Sequence, residues 1–430
     1  MRMSTPPPNS GRLGRRARSV AAVAAAALAL AGCASGDAEP SAADGFSTEL
    51  PPADTEATLE IWGYTKWEQP REDWIKRGIA LLEKEFPNVT VNYSLIPYAE
   101  LPPKLLGSSV GGASPDGVIF SPTDADVMSQ AGIVGDMTPF WDKFTDSDEL
   151  SESVVWHEGD NLVALQGYIN TTGLFYNKEI LDAAGVTPPT TIAELEAALE
   201  AVTAAGYQGM ALAATPDGQG EFQVMPWLLG EGQNYGSWNE DTVASVFTRF
   251  TEWIDAGYIP RDVVGWLQAD VFQQFTGGNI AFVQGVNSYL GRSDEIQFDW
   301  GVLPIPAGAA GSHSLSGGEA FSISAETEQP ALVWRLFELM LLEQDAQVHI
   351  LETKGSIPSR LDIVADIDAV ADERVRAFAE ISTTMESRPS SSNMGEYIVA
   401  MGRIWNSVAS GVTTPEEAAQ QVKAELSELE

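Results

Sequence analysis

Residues 162–185, LVALQGYINTTGLFYNKEILDAAG, contain the change of pattern that decides the fold. Up to Asn177 the run is rich in β-branched and aromatic types, broken by Gly167 and Gly173, and reads as strand. From Asn177 the period turns helical: Asn177 suits an N-cap, Glu179 falls in the first turn, Ile180 and Leu181 open an apolar face, and Gly185 stops it. The stretch therefore predicts a strand leaving one domain and a helix opening another, with a cleft where the chain crosses over.

Far upstream, Arg12, Arg15, Arg16 and Arg18 precede an unbroken apolar and small-residue run, residues 20–31, and then Leu30-Ala31-Gly32-Cys33. This is the pattern of a secretion signal, and its apolar core falls short of the roughly 20 residues a permanent span needs. The residues after Arg15-Arg16 fit the twin-arginine pattern poorly, which favours the general secretory route. Cys33 is the one cysteine in the chain, so disulfides are excluded. The tetrapeptide resembles the lipobox of bacterial lipoproteins, in which the cysteine thiol receives diacylglycerol. Residues 33–56, rich in Ser, Ala, Pro and acids, then read as a flexible tether, with the lipid as the sole membrane attachment.

Five of the 24 bases and none of the 61 acids lie in the first 32 residues, so cleavage leaves 19 bases against 61 acids, a net charge of −42. That excludes nucleic acid as a partner and leaves cationic ligands open. The remaining 398 residues suggest about two domains.

Residues 57–63 alternate as a strand, 71–86 carry Trp74, Ile75, Ile79, Leu82 and Phe86 at near-helical spacing, and 89–96 read as a second strand. A β-α-β opening argues for a parallel sheet whose ligand crevice lies beyond the strand C-termini. Trp62, Tyr64 and Trp67 fall there. Catalytic patterns are poor. Residues 107–111 spell G-x-S-x-G, but after helix-like sequence instead of a strand. A lipid-anchored glycoside hydrolase would need only two carboxylates, yet no pair stands at strand ends in a repeated barrel pattern. Three scattered histidines make no zinc site, and Asp146-Ser147-Asp148 lacks the glycine and closing glutamate of a calcium loop. No cofactor, metal or catalytic residue is expected.

The central stretch, with Asn-Thr before L-x-Y-N-K-E-x-L and a helix ending in Ala-Gly, resembles the first hinge crossing of bacterial extracellular solute-binding proteins of the carbohydrate-uptake type. Other segments are similar to that family in the same order: FPNVTV (86–91), SPDGV (114–118), AGIVGDMT (131–138), PPTTIAEL (188–195), FQQFTGGNIAFVQG (272–285), WGVLPIP (300–306), SGGEAFSIS (316–324), KGSIPSR (354–360) and GVTTPEEA (411–418). In PPTTIAEL, Thr191 and Glu194 form a capping-box pair. Single fragments are weak, but their number and order from residue 57 to the end are specific.

The resemblance implies an α/β, two-lobed periplasmic-binding-protein-like fold with three hinge crossings and a central ligand cleft. Lobe one would hold 57–168 and 284–324, and lobe two 171–282 and 326–430. The implied function is a monomeric, non-enzymatic, lipid-anchored receptor that hands a sugar or oligosaccharide to the permease subunits of an ATP-driven (ABC) importer. A polyamine or peptide is the alternative ligand, in which case Glu221 and Glu319 should dominate binding. Sugar rings stack on aromatics, so Trp62, Tyr64, Trp67, Trp227, Trp266 and Tyr289 are candidate platforms. Trp74, Trp334 and Trp405 lie on helical stripes and belong in the core. From the family pattern, Asp124, Asn170, Glu221, Asn287, Gly318 and Glu319 should present polar groups to the cleft, with Arg360 and Tyr397 as further carry-overs.

Overall fold

Two sheets form where the sequence alternates or turns continuously apolar, and short paired segments join them. A computed structural model describes residues 45–64, 73–97, 100–366, 373–389, 391 and 393–427. Cys33, the signal segment and Trp67 lie outside the described residues. The first sheet takes β1 (Ala57–Gly63), β2 (Val89–Leu95), β3 (Gly117–Phe120), β4 (Val155–Glu158) and β5 (Asn161–Gln166). After β6 (Tyr168–Ile169), the second takes β7 (Thr172–Asn177), β8 (Gln208–Ala211), β9 (Ile280–Val286) and β10 (Trp300–Leu303). β11 (Ser314–Leu315) precedes β12 (Ala320–Ile323), which returns to the first sheet, and β13 (Ile357–Pro358) and β14 (Met385–Glu386) follow. The sheet orders are β2-β1-β3-β12-β5-β4 and β10-β7-β9-β8, which makes the molecule two-lobed.

β1 runs parallel to β2 and β3, with the helix Trp74–Glu85 between β1 and β2, as a β-α-β unit requires. That helix buries Trp74, Ile75, Ile79 and Leu82. At the first crossing Asn177 accepts a hydrogen bond from Ile180 N–H at 3.1 Å, and Gly185 ends the helix Lys178–Ala184 in the left-handed region at φ 69°. Thr191 and Glu194 complete a capping box. Trp74, Trp334 and Trp405 are buried.

The lobe boundaries differ from the expected ones. β9 is buried along its whole length and pairs with β7 on one side and β8 on the other, so it is a central strand of the second sheet. Trp300–Leu303 pairs with β7, so residues 284–303 belong to lobe two, and the return crossing comes later, around Ser314–Leu315. The helix Pro330–Phe337 packs on β12 and on Trp74–Glu85, in lobe one, whereas Met394–Ala409 and Pro415–Glu425 pack on second-lobe helices. Packing also starts before residue 57. The Phe46 ring lies 6.1 Å from that of Phe140, and Asn88 Nδ2 donates to Asp54 O at 3.1 Å, so the last part of the expected tether lies on lobe one.

The G-x-S-x-G segment ends the helix Leu101–Gly111 and runs into Gly112 at φ 62°, the reverse of a strand-to-helix elbow. Asp146 pairs with Arg360 at 2.8 Å. Among the described residues there is no group of three or more His, Cys, Asp or Glu that could hold a metal ion, and no helix long and apolar enough to cross a membrane.

Candidate functional site

Three chain crossings meet in one hydrogen-bonded knot. Asn170 N–H donates to Gly317 O at 3.0 Å, and Gly317 N–H returns the bond to Asn170 O at 2.8 Å. Ser356 Oγ donates to Asn170 Oδ1 at 2.9 Å. Asn287 is fully buried behind them. Its Oδ1 accepts from Thr171 N–H at 2.8 Å, and its Nδ2 donates to Ile169 O at 3.1 Å and Gly355 O at 3.2 Å. These bonds satisfy backbone groups that no sheet can pair where the strands leave one lobe for the other. Asn287 therefore staples the crossings together, and it is not among the residues that line the cavity beside them.

A cavity of about 330 Å³ opens against this knot, in the size range of small-molecule sites. Asn170, Gly317, Gly318, Glu319, Ser288, Tyr289 and Lys354 line it from the crossings, Tyr64 and Ser121 from lobe one, and Gly218, Gln219, Phe222 and Gln268 from lobe two, with Arg388 closing one side. Gly318 has φ 120°, and a Cβ there would stand 2.6 Å from Tyr168 O, so only glycine lets the two segments approach. Tyr289 is held by stacking on Phe272, ring centroids 4.6 Å apart.

Charge in the cavity is paired. Arg388 donates to both oxygens of Glu221, from Nη2 at 2.6 Å and from Nε at 3.1 Å, and its Nη1 donates to Ser316 O at 3.1 Å. Tyr235 OH donates to Glu221 Oε1 at 2.6 Å, and burial, then the Glu221 charge, push the Tyr235 hydroxyl pKa well up. Lys354 donates to Tyr168 OH at 2.8 Å and stands 3.9 Å from Glu319 Oε2. That oxygen is buried and has no hydrogen-bond partner among the described residues.

Of the expected platforms and ligands, Tyr64, Asn170, Tyr289, Gly318 and Glu319 line the cavity. Trp62 is half-buried outside it, with Lys104 Nζ 4.3 Å from its ring centroid. Trp227 is a core residue: Nε1 donates to Gln284 Oε1 at 2.8 Å, and Phe250 and Trp253 meet it edge-on. Trp266 packs against the core two residues before Gln268, which does reach the cavity. Glu221 is fully buried behind Arg388. Arg360 is bound to Asp362 and Asp146, away from the cleft. Tyr397 lies against Trp238 and accepts from Gly236 N–H, and burial raises its hydroxyl pKa. Asp124 Oδ1 lies 3.6 Å from where a Cβ would stand on Gly395 of the helix Met394–Ala409, so it sits between the lobes, and burial pushes its carboxyl up to about 6. Sequence reasoning missed Arg388, for which the sequence alone carries no signal.

The model of the family described as bacterial extracellular solute-binding protein matches residues 79–377, well over half the chain. The chain belongs to the bacterial extracellular solute-binding proteins. As a member of this extracellular family it works outside the cytoplasm, and the family is one of binding proteins. A curated relative, the galactooligosaccharide-binding protein of Bacillus subtilis (strain 168), is 23% identical over 418 residues, covering 93% of each chain. Among solved structures, the GacH receptor of Streptomyces glaucescens, known unliganded and with acarbose, matches with TM-score 0.75 at 20% identity over 86% of this chain and 97% of that one. Maltose-bound MalE3 of T. maritima matches with TM-score 0.77 at 18% identity over 86% and 98%. These likenesses establish the two-lobed solute-binding fold.

Proposed function

We propose that the cavity at the crossings binds a sugar or oligosaccharide and that the protein delivers it, as a monomer, to the permease of an ATP-driven importer. In this reading diacylglycerol on Cys33 holds it to the outer face of the membrane. The observation that carries the ligand class is the lining: three aromatic rings, Tyr64, Phe222 and Tyr289, stand among amides and hydroxyls, with each charge already paired. Rings offer faces for sugar C–H groups, and Asn170, Gln219, Gln268 and Ser288 offer donors and acceptors for hydroxyls. The printed ligands of the relatives, galactooligosaccharide, acarbose and maltose, support the same class.

A polyamine needs unpaired carboxylates, and both oxygens of Glu221 are held by Arg388 and Tyr235. Hydrolysis of a glycoside needs two carboxylates about the scissile bond, whereas among the described residues Glu319 is the carboxylate on the cavity wall. Both points favour binding of an intact sugar.

A thermal-shift screen of the full chain against mono- and oligosaccharides, with polyamines and short peptides as the competing panel, tests the reading. Ligand at about 100 times its Kd adds roughly 2.7 kcal/mol, enough for a shift of a few degrees. A shift confined to sugars, with the sugar recovered intact, is the expected result. Shifts confined to polyamines or peptides would remove the sugar claim, and cleaved sugar would remove the receptor claim.

A further inference from the structure

Resting on the sugar reading above, we infer that the cavity selects uncharged sugars, and that the pairs Glu221–Arg388 and Glu319–Lys354 are the device that turns away acidic and amino sugars. Among the described residues, the charged groups lining the cavity are Glu319, Lys354 and Arg388, and Glu221 stands directly behind Arg388 with no exposed surface. Two cations therefore meet two carboxylates, and the wall is electrically neutral. The chain as a whole, by contrast, carries 61 acids against 24 bases.

The geometry makes each pair a filter. Arg388 spends Nε and Nη2 on Glu221 and a further donor on Ser316 O, so an incoming carboxylate would have to compete with bonds already made. That carboxylate would also approach Glu319. An ammonium drawn to Glu319 would come beside Lys354 Nζ, which stands 3.9 Å from the same oxygen. A hydroxyl meets neither penalty. It can bond to the neutral polar groups of the wall, Asn170, Gln219, Gln268 and Ser288, while adding no charge. Both filters act in a partly closed space where solvent screens poorly.

Calorimetric titration of the full chain with matched sugars tests the inference: galactobiose against digalacturonate, and cellobiose against the disaccharide of glucosamine. The neutral member of each pair should bind tighter by roughly tenfold or more, the part of a close like-charge contact left after the opposite charge of each pair offsets most of it. Glu319→Gln leaves a cation in excess, and the preference for the neutral sugar over digalacturonate should shrink by roughly tenfold or reverse. Glu221→Gln, the second variant, should move the same ratio in the same direction through Arg388. If neutral and charged sugars bind the wild type alike, or if both variants leave the ratio unchanged, the charge filter is refuted while the sugar site stands. If no sugar binds, the sugar reading falls and the filter with it.

Discussion

The two walls of the cavity contrast sharply. The crossing wall, Asn170, Gly317 to Glu319 and Lys354, is made where backbone segments hydrogen-bond to one another, so each residue's direction follows from main-chain geometry that the motifs encode. The second-lobe wall is one side of the helix Gly218–Gly230, where direction follows from helical phase. Gly218, Gln219 and Phe222 line the cavity, whereas Glu221, Val224, Met225 and Leu228 of the same helix are fully buried. One residue of slip, about 100°, exchanges a ligand for a core residue. A charged or aromatic residue in the right stretch is thus a good pointer on the first wall and a poor one on the second.

Truncating each wall should sharpen this difference. Trp227→Ala, on the buried face, should lower unfolding free energy by about 3–5 kcal/mol while the folded protein keeps its ligand affinity. Chemical denaturation with calorimetric titration checks both, and lost affinity at unchanged stability would return Trp227 to the site. Asn287→Ala leaves buried groups at Ile169, Thr171 and Gly355 without partners, and a loss of about 2–3 kcal/mol is expected.

Asp124 probes the place where the lobes touch outside the cavity. Its folded pKa of about 6 lies above the ordinary carboxylate value of 3.8, so its contribution to stability is full below pH 3.8 and lost as pH rises through 6. Asp124→Asn should therefore nearly match wild type near pH 4 and exceed it by about 3 kcal/mol at pH 7, in melting measured across that range. Equal stability at both pH values would remove the buried-carboxyl account. Tyr64→Ala should have the smallest effect, a loss of ligand affinity of about 1 kcal/mol, roughly fivefold, with little change in melting.

Much of the fold was legible because local rules and tertiary structure agree: Asn177, Gly185 and the Thr191/Glu194 pair cap helices as their types demand. The lobe boundary near residue 284 was misplaced because a motif marks where a glycine stands and not which sheet its strand joins; pairing of β9 with β7 and β8 is a long-range fact. The lining of the cavity was legible at Asn170, Gly318 and Glu319, and not at Arg388, which is held there by Glu221, 167 residues away in sequence. The tryptophans misled for a general reason. A large ring gains most by full burial, and Trp227 obtains it with Gln284 satisfying its N–H.

The most direct test is a crystal structure of the protein with the sugar that shifts its melting most. An intact sugar lying among Tyr64, Phe222 and Tyr289, with the Arg388–Glu221 pair unbroken, is the result expected. A sugar bound elsewhere, or one whose binding breaks that pair to contact Glu221, would contradict the account.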